Sequence, residues 1–241
     1  MNAIFPLPPT EKRKQFELRA LALRDFAGVA PHEALDPFEL AQFARLLVVD
    51  FDQIKDLSDE SREHLLGAGT NEWSGGACSQ PLPNGWRLVI LNPAHGAHRN
   101  RATLMEEISH VFLGHKPNRL AIVEHGRNPT VREGAPSAAE KKKQNGSQVA
   151  VDPHANPLPK REGAKILARD YNKSEEEAAY AIGSAALVPY AALRKLVLDG
   201  LTADRIARRF GVSRQLVEYR IKVTHLWSAY KSLSGSRAQH V

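Results

Sequence analysis

The stretch that most constrains this chain runs from Arg101 to His115 and reads RATLMEEISHVFLGH. At about 100° of turn per residue, Leu104, Met105, Ile108, Val111 and Phe112 spread around most of a helix, leaving one narrow polar strip of Thr103, Glu106, Glu107 and His110. No lysine or arginine interrupts that strip. Two adjacent carboxylates and an imidazole on a mostly apolar helix need a neutralising partner, in a chain that carries 33 Lys+Arg against 27 Asp+Glu. A metal cation meets the need.

Spacing supports the same reading. Glu106 and His110 stand at i and i+4 on one face, the geometry by which an HExxH helix presents two ligands to zinc while the Glu after the first ligand serves as general base. Here the string is Glu-Glu-Ile-Ser-His, with Glu in the first ligand position. The competing reading leaves Glu106 and Glu107 on a solvated face and makes His110 a satisfied core histidine. Short patterns recur by chance, so the surroundings must decide.

With 241 residues and 42% hydrophobic content, the chain can bury a core and is expected to hold one main domain with a small appendage. A net charge of +6, spread along the chain, permits contact with nucleic acid without arguing for it. Cys78 is the only cysteine, which excludes an intramolecular disulfide and a cysteine-based zinc site and suits a reducing compartment. The start, MNAIFPLPPTEKRK, has no apolar signal core, and no apolar run nears the ~20 residues that span a bilayer. The expectation is a cytoplasmic protein with no membrane partner.

Residues 11 to 27 read as an amphipathic helix burying Phe16, Leu18, Leu21, Leu23 and Phe26. Asp36 as N-cap and Pro37 at the first position open a second helix, with Phe38, Leu40, Phe43, Leu46 and Leu47 on its buried side. Leu46 to Phe51 can turn into a strand, and a further helix is expected near Ser58 to Leu66. NEWSGGACS and GWRLVILN, divided by Pro81-Leu82-Pro83-Asn84-Gly85, predict an antiparallel hairpin that leads through Asn92-Pro93 into the Glu106 helix. An exposed strand edge beside a metal helix could hold an extended peptide. Gly114 and Pro117 end that helix, and Arg119 to Val123 could form one more strand. From 126 to 163 the composition turns to Pro, Gly, Ser, Ala, Lys and Asn, with a Lys141-Lys142-Lys143 run, and reads as a flexible insertion.

Beyond it comes NKSEEEAAYAIGSAALVPYAAL. Ser174 with Glu177 matches a capping box, and Glu175 suits the positive end of the helix dipole. Glu176 is left over. It shares a face with Ala179, Tyr180, Gly183 and Leu187, whose small members allow close approach of another backbone, so Glu176 could join Glu106 and His110 as a third ligand. The alternative is one more exposed first-turn acid.

Together, LVILNP, the lead-in RNRAT, EEISHVFLGH and EEAAYAIGSAALVP ending at Pro189 resemble the ImmA/IrrE family of metallo-endopeptidases, over most of the chain outside the insertion. The resemblance implies an α+β fold: a zincin-like metallopeptidase domain with a small antiparallel sheet over 1–125 and 164–190, the insertion at 126–163, a helix-turn-helix-like segment at 191–232 and a tail at 233–241. It also implies metal ligands at Glu106, His110 and Glu176, a general base at Glu107, and a divalent metal, zinc first, with manganese or iron(II) as alternatives. The implied partner is a helix-turn-helix repressor that the protein cleaves or inactivates. One position departs from the family pattern, since Glu106 stands where the family has His. Two carboxylates and one imidazole make the metal a weaker Lewis acid and favour manganese or iron(II) more than two imidazoles do. The second reading is therefore a weakened or inactive relative that binds a repressor or DNA. His95, His98 and His115 are possible substitute ligands, each read first as a surface or capping histidine.

Near the C-terminus, LTADRIARRFGVSRQLVEYRIKVTHLW places Thr202 as a cap, Ala207 between helices, Gly211 in the turn and Ser213 as the second cap, a spacing that resembles a helix-turn-helix. Arg214, Gln215 and Arg220 could then face DNA or a partner. With few phosphate-binding residues and Glu218 among them, a partner-binding appendage is the preferred reading.

Overall fold

A computed structural model of the chain describes residues 5–54, 58–78, 81–115 and 172–237. In chain order the elements are α1 (Glu11–Phe26), α2 (Pro37–Phe43), β1 (Leu46–Val49), a 3-10 turn at Phe51–Gln53, α3 (Asp59–Leu66), β2 (Gly75–Ala77), β3 (Arg87–Leu91), α4 (Ala97–Leu113), α5 (Lys173–Leu187), α6 (Tyr190–Leu198), α7 (Ala203–Phe210), α8 (Arg214–Val223) and α9 (Trp227–Arg237). The fold is mixed α+β, and the described residues fall in one unit. The strand expected at Arg119 to Val123 and the insertion over 126–163 lie outside the described residues.

The sheet has the order β1-β3-β2. β2 pairs antiparallel with β3, from Gly75 opposite Leu91 to Ala77 opposite Val89, and the turn between them closes through Gly85, which takes φ +80° and donates to the Leu82 carbonyl at 2.8 Å. β1 instead pairs parallel with β3, Leu46 opposite Arg87 through Val49 opposite Ile90. The sheet is thus mixed rather than antiparallel. Turn residues announce a hairpin locally, whereas a parallel pair needs a crossover whose direction no short stretch encodes.

Several helix faces differ from the expected ones. α1 buries Glu17, Ala20, Leu23 and Arg24, while Leu18 and Phe26 are exposed. Burial of two charged residues is possible because each is hydrogen-bonded. Arg24 donates to the carbonyls of Ala186 and Glu33, both at 2.6 Å, and to that of Ala30. Glu17 accepts from Arg220 at 2.6 Å and from the Tyr190 backbone N–H. On α2 the Asp36 carboxylate caps Phe38 N–H at 3.0 Å as expected, and Leu40 and Leu46 are buried, but Phe38, Phe43 and Leu47 are exposed. Phe26 and Phe43 instead meet edge to face at 5.9 Å. α3 starts on the Ser58 cap.

α5 is the centre of the core. From Ala181 to Leu187 every residue is buried, and the helix lies along both α4 and α1. Glycine at 183 makes the approach to α4 possible: a Cβ there would stand 3.1 Å from the Met105 carbonyl oxygen and 3.2 Å from Ser109 Oγ. No single helix among the described residues is long and apolar enough to cross a membrane. The core continues through Leu193, Ile206, Phe210, Val217 and Ile221 of the C-terminal helices.

Candidate metal centre

α4 owes its position to both of its ends. At its start the side chain of buried Asn92 donates to the carbonyls of Thr70 and Trp73, at 2.7 and 2.9 Å, and accepts from Ala94 N–H, which fixes the exit from β3. At its end Gly114 adopts φ +69°. Its N–H reaches the Val111 carbonyl and that of His115 reaches His110, both at 3.0 Å, the paired bonds that close a helix through a left-handed glycine. Between these ends Thr103, Leu104, Met105, Ile108, Ser109 and His110 are buried. Val111 and Phe112, expected among the apolar majority, are exposed.

α5 begins two residues earlier than a Ser174 cap would place it. Asn172 is the cap and accepts from Ser174 N–H at 3.1 Å and Ser174 Oγ at 2.8 Å. Glu177 closes no capping box; it pairs with Lys12 at 2.7 Å and Arg13 at 3.8 Å on α1. Asn outcompetes Ser here because its longer side chain sits at the residue whose backbone is already extended.

These two helices bring Glu106, His110 and Glu176 together, with one donor atom from each within 4.8 Å of the others. His110 Nε2 is 3.5 Å from Glu176 Oε2, and the two side chains are 11% and 16% exposed. Donors on one tetrahedral ion with bonds of about 2.1 Å stand about 3.4 Å apart, so the imidazole and the Glu176 carboxylate already have the required separation. Three half-buried acid and imidazole side chains facing one point suit a divalent cation. Among the described residues no other group of His, Cys, Asp and Glu converges in this way.

Electrostatics points in the same direction. Burial alone would push the His110 imidazolium down, but the hydrogen bond and charge of Glu176, with Glu107 and then Glu106 behind it, outweigh burial and hold it above the ordinary histidine value. The site favours positive charge. One turn beyond Glu176, burial raises the Tyr180 phenol, helped by Tyr219 and Glu106; its ring meets that of Tyr219 at 5.0 Å. Glu107 is half-buried beside the cluster.

His95 precedes α4 and His98 is exposed in its first turn, and neither joins the cluster. His115, read as a surface or capping residue, is half-buried with its Nδ1 3.1 Å from His110 Nδ1. The signal that could have found it is the Leu-Gly-His ending, since a left-handed glycine folds the next residue back over the last turn. Arg220 requires a correction. It cannot face DNA, because it is 2% exposed and held by Glu17 and by the Val188 carbonyl at 3.1 Å; helical spacing put it on the wrong side of α8. Arg214 and Gln215 are exposed, and Arg214 is paired with Glu218 at 2.7 Å and Asp204 at 3.6 Å.

Residues 155–222 match the Peptidase_M78 family model, described as the IrrE N-terminal-like domain. The matched stretch contains Glu176 and ends on α8, short of α4 on the other side. No curated protein and no solved structure matches the chain. Residues 155–222 are thus similar to the IrrE N-terminal-like domain of the ImmA/IrrE-type family, a match that supports a peptidase-type hydrolase at the family level and suggests a divalent metal.

Proposed function

We propose that this protein is a cytoplasmic, metal-dependent endopeptidase-like regulator that cleaves or inactivates a helix-turn-helix repressor. The observation that carries the reading is the convergence of Glu106 and His110 from α4 with Glu176 from α5, donor atoms within 4.8 Å. Those three residues would hold the ion, zinc first, on a zincin-like scaffold. When bound, a divalent metal supplies Lewis acidity toward a carbonyl and lowers the pKa of water. Glu107, adjacent in sequence to the first ligand, takes the proton from the attacking water and passes it to the departing amine. The α4–α5 contact keeps the acid and imidazole donors opposed, and the edge of β2, which packs on α4, offers backbone groups to an extended chain.

The test is direct. Elemental analysis of the purified protein should find about one zinc per chain, lost in His110→Ala and Glu176→Gln. Glu107→Gln should keep the metal and lose about 100-fold or more in repressor cleavage. Parental cleavage by Glu107→Gln would rule out this mechanism.

A second reading is favoured by Glu106 itself. With two carboxylates and one imidazole, the bound ion is a weaker acid, and manganese or iron(II) competes better. On that reading the chain is a non-catalytic relative that relieves repression by binding a repressor, and metal-free protein retains full binding. Direct DNA binding by the C-terminal helices is less favoured, as Arg220 is buried and Arg214 is paired with two acids. Salt-sensitive duplex binding that is lost in Arg214→Ala would restore it.

A further inference from the structure

His110 has two ring nitrogens and both have neighbours. Nε2 faces Glu176 at 3.5 Å. Nδ1, on the other side of the ring, is 3.1 Å from His115 Nδ1, with the ring planes 63° apart. Two ring nitrogens at that distance share one proton, so one donates and the other accepts. If Nε2 offers its lone pair to an ion, Nδ1 must be the donor, and His115 Nδ1 must be the acceptor with its own proton on Nε2.

We infer that His115 is a positioning residue that fixes the tautomer and ring angle of His110, an inference that rests on the ligand set proposed above. Metal-binding histidines need such a partner on the second nitrogen, most often a carboxylate or a carbonyl oxygen; here an imidazole takes the part. The backbone delivers it. Gly114 at φ +69° turns the chain back, and the His115 N–H bond to the His110 carbonyl at 3.0 Å pins the two residues one above the other. That pair of positions usually carries an apolar contact at a helix end, and the sequence has used two imidazoles instead. His115 stands behind His110 rather than among the converging donors.

Zinc titration of the full chain against a chromophoric chelator tests this in the parent, His115→Leu and His115→Asn. Leu fills the space without an acceptor, whereas Asn carries an oxygen one bond beyond Cγ, where His115 Nδ1 stands. His115→Leu should weaken zinc binding about 10-fold or more, and His115→Asn should restore it. In the zinc-loaded parent, long-range proton–nitrogen NMR correlations should show His110 protonated on Nδ1 and His115 on Nε2. Parental affinity in His115→Leu, no recovery in His115→Asn, or His110 binding zinc through Nδ1 each overturns the inference while leaving the ligand set standing. A parent that binds no stoichiometric zinc overturns both. Should His115→Leu fail to fold, the NMR result on the parent decides alone.

Discussion

Gly183 shows how little room the site leaves. Met105 and Ser109 occupy the space into which a Cβ would project, so Gly183→Val has to push α5 away from α4. Overpacking of this kind costs about 1–3 kcal/mol, and the same displacement draws Glu176 from His110. A lower melting temperature together with weaker zinc binding is the expected outcome; a variant with parental values for both would show that the helices tolerate the shift. Cys78 gives a second prediction at this scale. Burial holds its thiol above the ordinary cysteine value, so at pH 8 less of it is thiolate than in a free cysteine, and the thiolate is the reacting form. Iodoacetamide should label the folded protein more slowly than the unfolded one at that pH, with the rate climbing as pH rises through the elevated pKa.

Glu106 and His110 could be paired from the sequence because a helix repeats every 3.6 residues and a carboxylate on a cation-free strip is conspicuous within a few turns. Glu176, which the structure brings to them, was reached only by elimination, through a capping box that does not form. Glu17, Arg24 and Arg220 were not legible, since nothing near Glu17 in sequence announces a partner 203 residues away. His115 fell between these cases. Its neighbour Gly114 was recognised as a cap, yet the direction in which the cap sends the following side chain was left unused.

Between elements, the same contrast sets which contacts can be lost. α1 is tied to α8 by the Glu17–Arg220 pair, whose side chains are 1% and 3% exposed. Removing one member of a buried pair strands the other charge and costs about 3–5 kcal/mol. Arg220→Leu should therefore destabilise the protein strongly in urea denaturation. Glu17→Leu combined with Arg220→Met should recover only part of the loss, because the Tyr190 N–H and the Val188 carbonyl, which these side chains also engage, are then left bare. Full additivity of the two single losses would mean the pair has no mutual energy. At this scale the sequence was a good guide to helices with punctuation. Asp36, Ser58, Thr202 and Ser213 all cap the helices they precede, and Gly114 and Gly211 both adopt positive φ. It was a poor guide to which face of α1 or α2 turns inward, as packing partners from distant segments made that choice.

For the whole molecule, the proposed ligands come from elements on either side of residues 116–171, so an ion would link parts of the chain that are far apart in sequence. An ion that binds only the folded state stabilises it by mass action, about 2.7 kcal/mol at a free concentration of 100 times Kd. Zinc should raise the melting temperature of the parent, a chelator should reverse the rise, and Glu176→Gln should show neither effect. An equal rise in Glu176→Gln would place the zinc elsewhere. The hairpin of β2 and β3 before α4 could be read from strand and turn chemistry, and the α+β class followed with the help of the family resemblance. The parallel pairing of β1 could not, because its register is decided by a crossover rather than by its own four residues.

The bond between Glu17 and Arg220 also sets an order of events during synthesis. The first helix leaves the ribosome carrying an acid destined for the interior, and its counterpart is made some two hundred residues later. Until then Glu17 lacks the cation that satisfies it in the core, and an unpaired carboxylate favours water over the interior. α1 is thus an element whose buried place is complete only once α8 has been made.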